Sequence, residues 1–185
     1  MNNIKIIYDT MNDLPENIEK KYDIDMLSAT IIFQGKEYKS GVDIDTDEFY
    51  KLLKDNKEMP TTSQVTYLTF KETFEKYLNE GKKVLYIAGS SVASGTYQSA
   101  MLAKNDIESD DIYIFDTYSL CIGGGLLVLE AAKMVEEGLA IDTIINKLEE
   151  YKEKVEVYFS VDSLDYLHKG GRISGAKAAV GTILK

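Results

Sequence analysis

Near the middle of the chain, Val84-Leu85-Tyr86-Ile87-Ala88 forms a near-continuous apolar run. A strand with one wet face alternates apolar and polar residues, whereas a strand apolar at successive positions needs cover on both faces, as in a parallel sheet between helices. The pattern returns at Ile112 to Phe115, ended by Asp116, and the opening Asn3 to Asp9 reads as a further strand. Helical periodicity separates these runs. It is carried by Tyr67, Phe70, Phe74, Tyr77 and Leu78, by Tyr97, Met101 and Leu102, and by Cys121 to Gly138 with Leu126, Leu127, Leu129, Ala132 and Val135. The alternation predicts an α/β fold, a mostly parallel sheet flanked by helices.

The intervening segments fill in the order. Asp13-Leu14-Pro15-Glu16 has the form of a capping box with proline at the first helical position, opening a helix toward Tyr22. Ile24 to Phe33 reads as one strand, joined across Gln34-Gly35-Lys36 to Glu37-Tyr38-Lys39 as a hairpin. Asp45 and Glu48 frame another helix start, with Phe49, Leu52 and Leu53 on its inner face. Pro60 to Gln64 reads as a hydroxyl-dense loop, and Gly81 as a helix stop. A helix over Asp142 to about Lys154 and a strand over Val155 to Val161 follow. No repeat period or low-complexity linker is visible, and one soft boundary falls near Val161. The small-residue run Gly175 to Leu184 reads as a helix made to pack beneath something larger, so either self-association through an uncovered face or much weaker ligand binding than with that cover in place is expected.

Charge narrows the partners. The 185 residues hold 31 acids against 21 bases, a formal charge of -10, which disfavours nucleic acid and anionic membranes as partners. The lone Cys121 cannot form an intramolecular disulfide, and the start MNNIKIIYD lacks signal-peptide architecture, so a cytoplasmic setting is expected. The uncharged stretch Val84 to Ala103 contains Ser90, Ser91, Ser94, Thr96, Gln98 and Ser99 and does not read as a membrane span. One histidine, His168, and one cysteine argue against a zinc site, which needs about four ligands.

In an open parallel sheet, ligands bind beyond the carboxyl ends of the strands. Two hydroxyl-rich segments qualify. Ser94 precedes a helix beginning at Gly95 or Thr96, whose unpaired N–H groups suit a carboxylate or phosphate, although a serine there can also simply cap the helix. Thr62 and Ser63 carry the same two readings. The sequence contains neither GxxxxGK[ST] nor a GxGxxG after a strand, so nucleotide binding has no motif behind it. Gly89-Ser90-Ser91-Val92-Ala93 is a degenerate nucleophile elbow, and Ser91 with His168 and Asp116 or Asp162 would make a serine hydrolase. Lys169-Gly170-Gly171-Arg172 is a compact basic turn, either an anion contact or a solvated loop.

Taken in order, Ile4 to Pro15, Thr62-Ser63-Gln64, Ser90 to Tyr97, Asp116 to Ser119 and Leu167 to Ser174 resemble the DegV family of bacterial fatty-acid-binding proteins. The resemblance runs along the whole chain, and TSQ, SGTY and KGGRIS together are far more specific than any one alone. It departs from the family pattern at Val65, where proline is usual, and at Asp9-Thr10-Met11, where DST is usual. It implies a two-lobed α/β protein, here an α/β ligand-binding domain over 1–160 with 161–185 as the opening of a second lobe whose remainder lies beyond the chain, that holds a long-chain fatty acid in a buried tunnel, with no other cofactor and no catalysis of its own. It implies further that a partner fatty acid kinase phosphorylates the presented carboxylate to an acyl phosphate for phospholipid synthesis. Under it, Thr62 and Ser94 would bond the carboxylate, with Ser63 and the Gly95 N–H adjacent and Arg172 in the surrounding network. Leu126, Leu127 and Met134 are candidates to line the tail, with core packing as the alternative for each. A regulatory module binding some other carboxylate is the remaining reading.

Overall fold

The computed structural model describes residues 3–56 and 58–174. In chain order the elements are β1 (Ile4–Asp9), α1 (Glu16–Tyr22), β2 (Asp25–Leu27), β3 (Thr30–Phe33), β4 (Lys36–Lys39), α2 (Thr46–Asp55) and β5 (Thr61–Ser63). They continue with α3 (Tyr67–Asn79), β6 (Lys83–Ala88), α4 (Thr96–Ile107), β7 (Ile112–Asp116), α5 (Cys121–Glu136), α6 (Ile141–Lys152) and α7 (Asp165–Lys169). Four strands form a parallel sheet in the order β2-β1-β6-β7, and three form an antiparallel sheet in the order β4-β3-β5.

The doubly apolar strands are explained by what they face. Leu85 and Ile87 of β6, with Ile6 and Tyr8 of β1, pack on Leu127, Val128 and Ala131 of α5 and Ile144 and Leu148 of α6. The alternate residues Val84, Tyr86 and Ala88, with Ile7, face Phe70, Phe74 and Tyr77 of α3 and Ala100 and Ala103 of α4. The expected parallel sheet flanked by helices is therefore what forms, with a buried layer on each face. Between β1 and β6 the strand order reverses, because the chain leaves β1 toward β2 on one side and returns as β6 on the other. Loops after these two strands diverge, which makes this edge the natural ligand crevice.

Four expectations need correction. Ile24 to Phe33 is not one strand: β2 pairs with β1, while β3 crosses to the small sheet. The break at Ser28-Ala29 is held from outside, since Thr10 N donates to Leu27 O at 3.1 Å and Ala29 N to Thr10 Oγ1 at 3.0 Å. Asp13 does not cap α1, because Pro15 is the N-cap, and Asp13 N donates instead to Cys121 O at 3.0 Å. Thr61–Ser63 is a strand, not a loop, because Ile31 and Ile32 of β3 offer it a ladder. Val155 to Val161 forms no strand among the described residues; Val155 packs on the core, while Tyr158 and Phe159 are exposed. The β3–β4 hairpin does form, with Gln34 and Gly35 both at positive φ. Asp45 caps α2 by accepting from Glu48 N at 2.8 Å. The run Gly175 to Leu184 lies outside the described residues.

Candidate ligand-binding site

At the carboxyl end of β1, Asp9 is 1% exposed and carries a carboxylate far from bulk water. Its Oδ2 accepts from Tyr86 OH at 2.6 Å and Gly89 N at 2.9 Å, and its Oδ1 from Met11 N at 2.9 Å. Burial pushes its pKa up, against the opposing pull of those three donors. Asp9 thereby ties the loop after β1 to the loop after β6, the two loops that diverge at the crevice.

The β6 loop is organised by hydroxyls. Ser94 Oγ accepts from Thr96 N at 3.2 Å, so the capping reading of Ser94 holds in part, although the N-cap position of α4 itself is Gly95. Ser94 Oγ also donates to Thr96 Oγ1 at 3.0 Å, and Thr96 Oγ1 accepts from Val65 N at 3.3 Å. The positive end of α4 points into the same space.

A third segment closes the crevice. The first turn of α5 carries Gly123-Gly124-Gly125, and the chain after β1 presses on it, with Cys121 N donating to Met11 O at 2.7 Å. A Cβ on Gly125 would stand 2.9 Å from the Asp13 carbonyl carbon, and one on Gly124 2.6 Å from Asn12 Cγ. Asn12 Nδ2 donates to Ile87 O at 3.2 Å, and its Oδ1 has no partner among the described residues.

Thr62, Ser63, Ser94, Gly95 and Arg172 all line one cavity of about 440 Å³, together with Met11, Gln64, Leu120 and Leu167. Arg172 is exposed, and its Nη1 donates to Gly170 O at 2.5 Å. Thr10, Ile31 and Ser40 line this cavity and also a larger cleft of about 820 Å³, whose apolar wall includes Met26, Ile44, Phe49 and Ile122. Cavities of ~300–1,000 Å³ are the usual size for small-molecule sites. A compartment with hydroxyls, a helix end and an arginine thus adjoins a larger cleft that has an apolar wall and also carries Asp13, Glu16 and Asp45. Leu127 and Met134 are core residues under β1 and β6, and Leu126 is exposed, so none of them lines either compartment.

The hydrolase constellation does not assemble. Ser91 N donates to Asp116 Oδ1 at 3.3 Å, an oxygen that also accepts from Tyr118 N. His168 is exposed on α7 with Nδ1 3.4 Å from Ile173 O, and among the described residues no hydrogen bond joins it to Ser91. A nucleophile without a base in reach is not activated.

Sequence reasoning left Asp9, Thr96 and the glycine triplet without a role. A buried aspartate ending a strand and three successive glycines in a helix were signals present in the sequence; the partners that explain them were not.

The architecture and crevice define an α/β domain with a hydroxyl-lined cavity at the topological switch point. The sequence model of the DegV family, described as uncharacterised, matches residues 3–185. A DegV domain-containing protein of Caldanaerobacter subterraneus subsp. tengcongensis is 41% identical over 184 residues, covering 100% of this chain and 65% of that protein. Protein DegV of Bacillus subtilis is 33% identical over 99% of this chain and 66% of its own length. The chain belongs to the DegV family, and it spans about 65% of the length of these relatives. Among solved structures, a Thermus thermophilus DegV family protein described by its fatty acid binding superposes with a TM-score of 0.87 at 29% identity, covering 99% of this chain and 65% of that one. DegV of Bacillus subtilis, described as a fatty acid binding protein, gives 0.87 at 33% identity over 98% and 64% of the two chains.

Proposed function

We propose that the chain binds a long-chain fatty acid, with the carboxylate in the polar cavity and the tail in the adjoining apolar cleft. The observation that carries this reading is the convergence of Thr62, Ser63, Ser94, Gly95 and Arg172 on one cavity that shares Thr10, Ile31 and Ser40 with the larger cleft. A carboxylate leaving water needs several donors, and the Thr62 hydroxyl, the Ser94 hydroxyl once it turns from Thr96 Oγ1 to the ligand, the α4 N-terminus and a guanidinium provide them. The fatty acid binding of the Thermus and Bacillus relatives supports the same ligand class. Native mass spectrometry of the purified chain followed by organic extraction is expected to release a long-chain fatty acid. Recovery of only nucleotide or sugar phosphate refutes the reading.

In this proposal the chain is a carrier, and catalysis belongs to a partner fatty acid kinase. The carboxylate oxygen attacks the γ-phosphorus of ATP held by that partner, ADP leaves, and an acyl phosphate for phospholipid synthesis remains. The setting is cytoplasmic, where ATP is available, and 161–185 begins a second lobe that covers the ligand. Among the described residues no helix is long and apolar enough to cross a membrane. Acyl phosphate is expected only when kinase, ATP and loaded chain are combined; its formation by the chain and ATP alone refutes the division of labour.

A further inference from the structure

Thr62 and Ser94 belong to separate parts of the fold: Thr62 lies on β5 of the antiparallel sheet, and Ser94 in the loop leaving β6 of the parallel sheet. Among the described residues no strand ladder joins the two sheets, so backbone pairing does not fix the separation of the two hydroxyls. Besides the β2–β3 passage held by Thr10, a connection next to the two hydroxyls is made by the two residues after β5. Val65 N donates to Thr96 Oγ1 at 3.3 Å, and Gln64 Nε2 donates to Ser99 Oγ at 2.8 Å. Thr96 and Ser99 are 1% and 5% exposed, so both acceptors are shielded from water, although Gln64 itself is exposed.

The Gln64 amide is also seated directly on Gly95. A Cβ added at Gly95 would stand 2.9 Å from Gln64 Cδ and closer still to Oε1. The obstructing group is the end of a flexible side chain, so a residue larger than glycine is accommodated by expelling the amide, which breaks its bond to Ser99.

We propose that Gln64 is a positioning residue: seated on Gly95 and tied to Ser99, it sets the separation of Thr62 and Ser94 and hence the fit of the cavity to a carboxylate. It acts through the two hydroxyls. The inference rests on the carboxylate reading above, and it adds a cause for head-group selectivity that the lining residues alone do not supply.

The test uses the 185-residue chain, the variants Gln64→Ala, Gly95→Ala and their combination, and two probes with one tail, palmitic acid and hexadecanol, titrated calorimetrically. Each single variant is expected to weaken palmitic acid by about tenfold, the loss of one well-placed bond to a charged group, while hexadecanol changes by less than about twofold. In the Gln64→Ala background, Gly95→Ala is expected to add less than about twofold, because no amide remains to be expelled. Equal losses for acid and alcohol, or multiplicative losses in the double variant, overturn the proposal. If the unaltered chain takes up no palmitic acid, the carboxylate reading alone fails. The latch is then judged by urea unfolding of the same four proteins, where additive costs at the two positions overturn it and a Gly95→Ala cost that vanishes in the Gln64→Ala background upholds it.

Discussion

Replacing Gly125 by alanine sets two effects of known sign against each other. In an unobstructed helix interior the change stabilises by about 1 kcal/mol, because alanine gives up less backbone entropy than glycine. Gly125 is not unobstructed, since the new Cβ would lie 2.9 Å from the Asp13 carbonyl carbon and nearer its oxygen. The obstacle is backbone, and it is pinned by Asp13 N to Cys121 O at 3.0 Å and Cys121 N to Met11 O at 2.7 Å. Relief therefore stretches two hydrogen bonds or pushes α5 off the sheet, and overpacking of this kind costs ~1–3 kcal/mol. The clash outweighs the propensity gain, so a net destabilisation of about 1 kcal/mol is expected. Urea unfolding followed by far-UV circular dichroism should give a lower midpoint with an unchanged slope. A midpoint above that of the unaltered chain would refute the close-approach account of the glycine triplet.

Further outcomes follow from the same contacts. Thr62→Val and Ser94→Ala should each weaken fatty-acid binding by about 1–3 kcal/mol per lost bond to the charged head group; unchanged affinity in both, with folding intact, rejects the head-group assignment. Lys5 is 4% exposed and pairs with Asp25 Oδ1 at 2.8 Å and Asp23 Oδ1 at 2.9 Å. Burial alone would raise the Asp25 pKa, yet Lys5 and Tyr77 hold it below the ordinary 3.8, so its stabilisation is present above that value and is lost as the pH falls through its folded pKa. Lys5→Met should flatten this acid limb of the urea midpoint against pH, and an unaltered limb would count against the pair. Asp9 has the opposite sign: its raised pKa gives stability that is full below 3.8 and lost as the pH rises through the folded value, so Asp9→Asn should shrink that component. Tyr158 and Phe159, 87% and 75% exposed, are expected to drive self-association, and a clean monomer by light scattering at high concentration would dismiss that.

What the sequence disclosed was periodicity. The runs of β6 and β7 and the spacing of Phe70, Phe74 and Tyr77 depend on local pattern and on burial from both sides, and both survive into the fold. What it hid depends on distant partners. Thr61–Ser63 has turn-like composition and becomes a strand because Ile31 and Ile32 stand beside it. Ile24 to Phe33 is mostly apolar in both of its strands, so the pattern does not mark the change of sheet that Thr10 enforces. The hydroxyl loops were legible by residue type, but the bond from Gly89 N to Asp9 spans 80 residues and that from Gln64 to Ser99 spans 35, beyond any local signal.

The electrostatics of the crevice bear on which anion it accepts. A phosphate monoester brings nearly two charges at neutral pH, and a fatty acid brings one. Among the described residues the cavity offers one guanidinium, Arg172, and no lysine lines it. Asp9, buried at the edge of the same loops, already uses the N–H groups of Met11 and Gly89 and the Tyr86 hydroxyl, donors that a second anion would otherwise draw on. The chain as a whole carries -10, which opposes the approach of any further anion and does so twice as strongly for a dianion. Two neutral hydroxyls and a helix terminus, worth about half a positive charge, suit a single charge delocalised over two oxygens. The apolar wall of Met26, Ile31, Ile44 and Phe49 then supplies binding energy that a small phosphate could not collect. The balance of charge and apolar surface therefore supports the proposed monoanion with a long tail over a compact dianion.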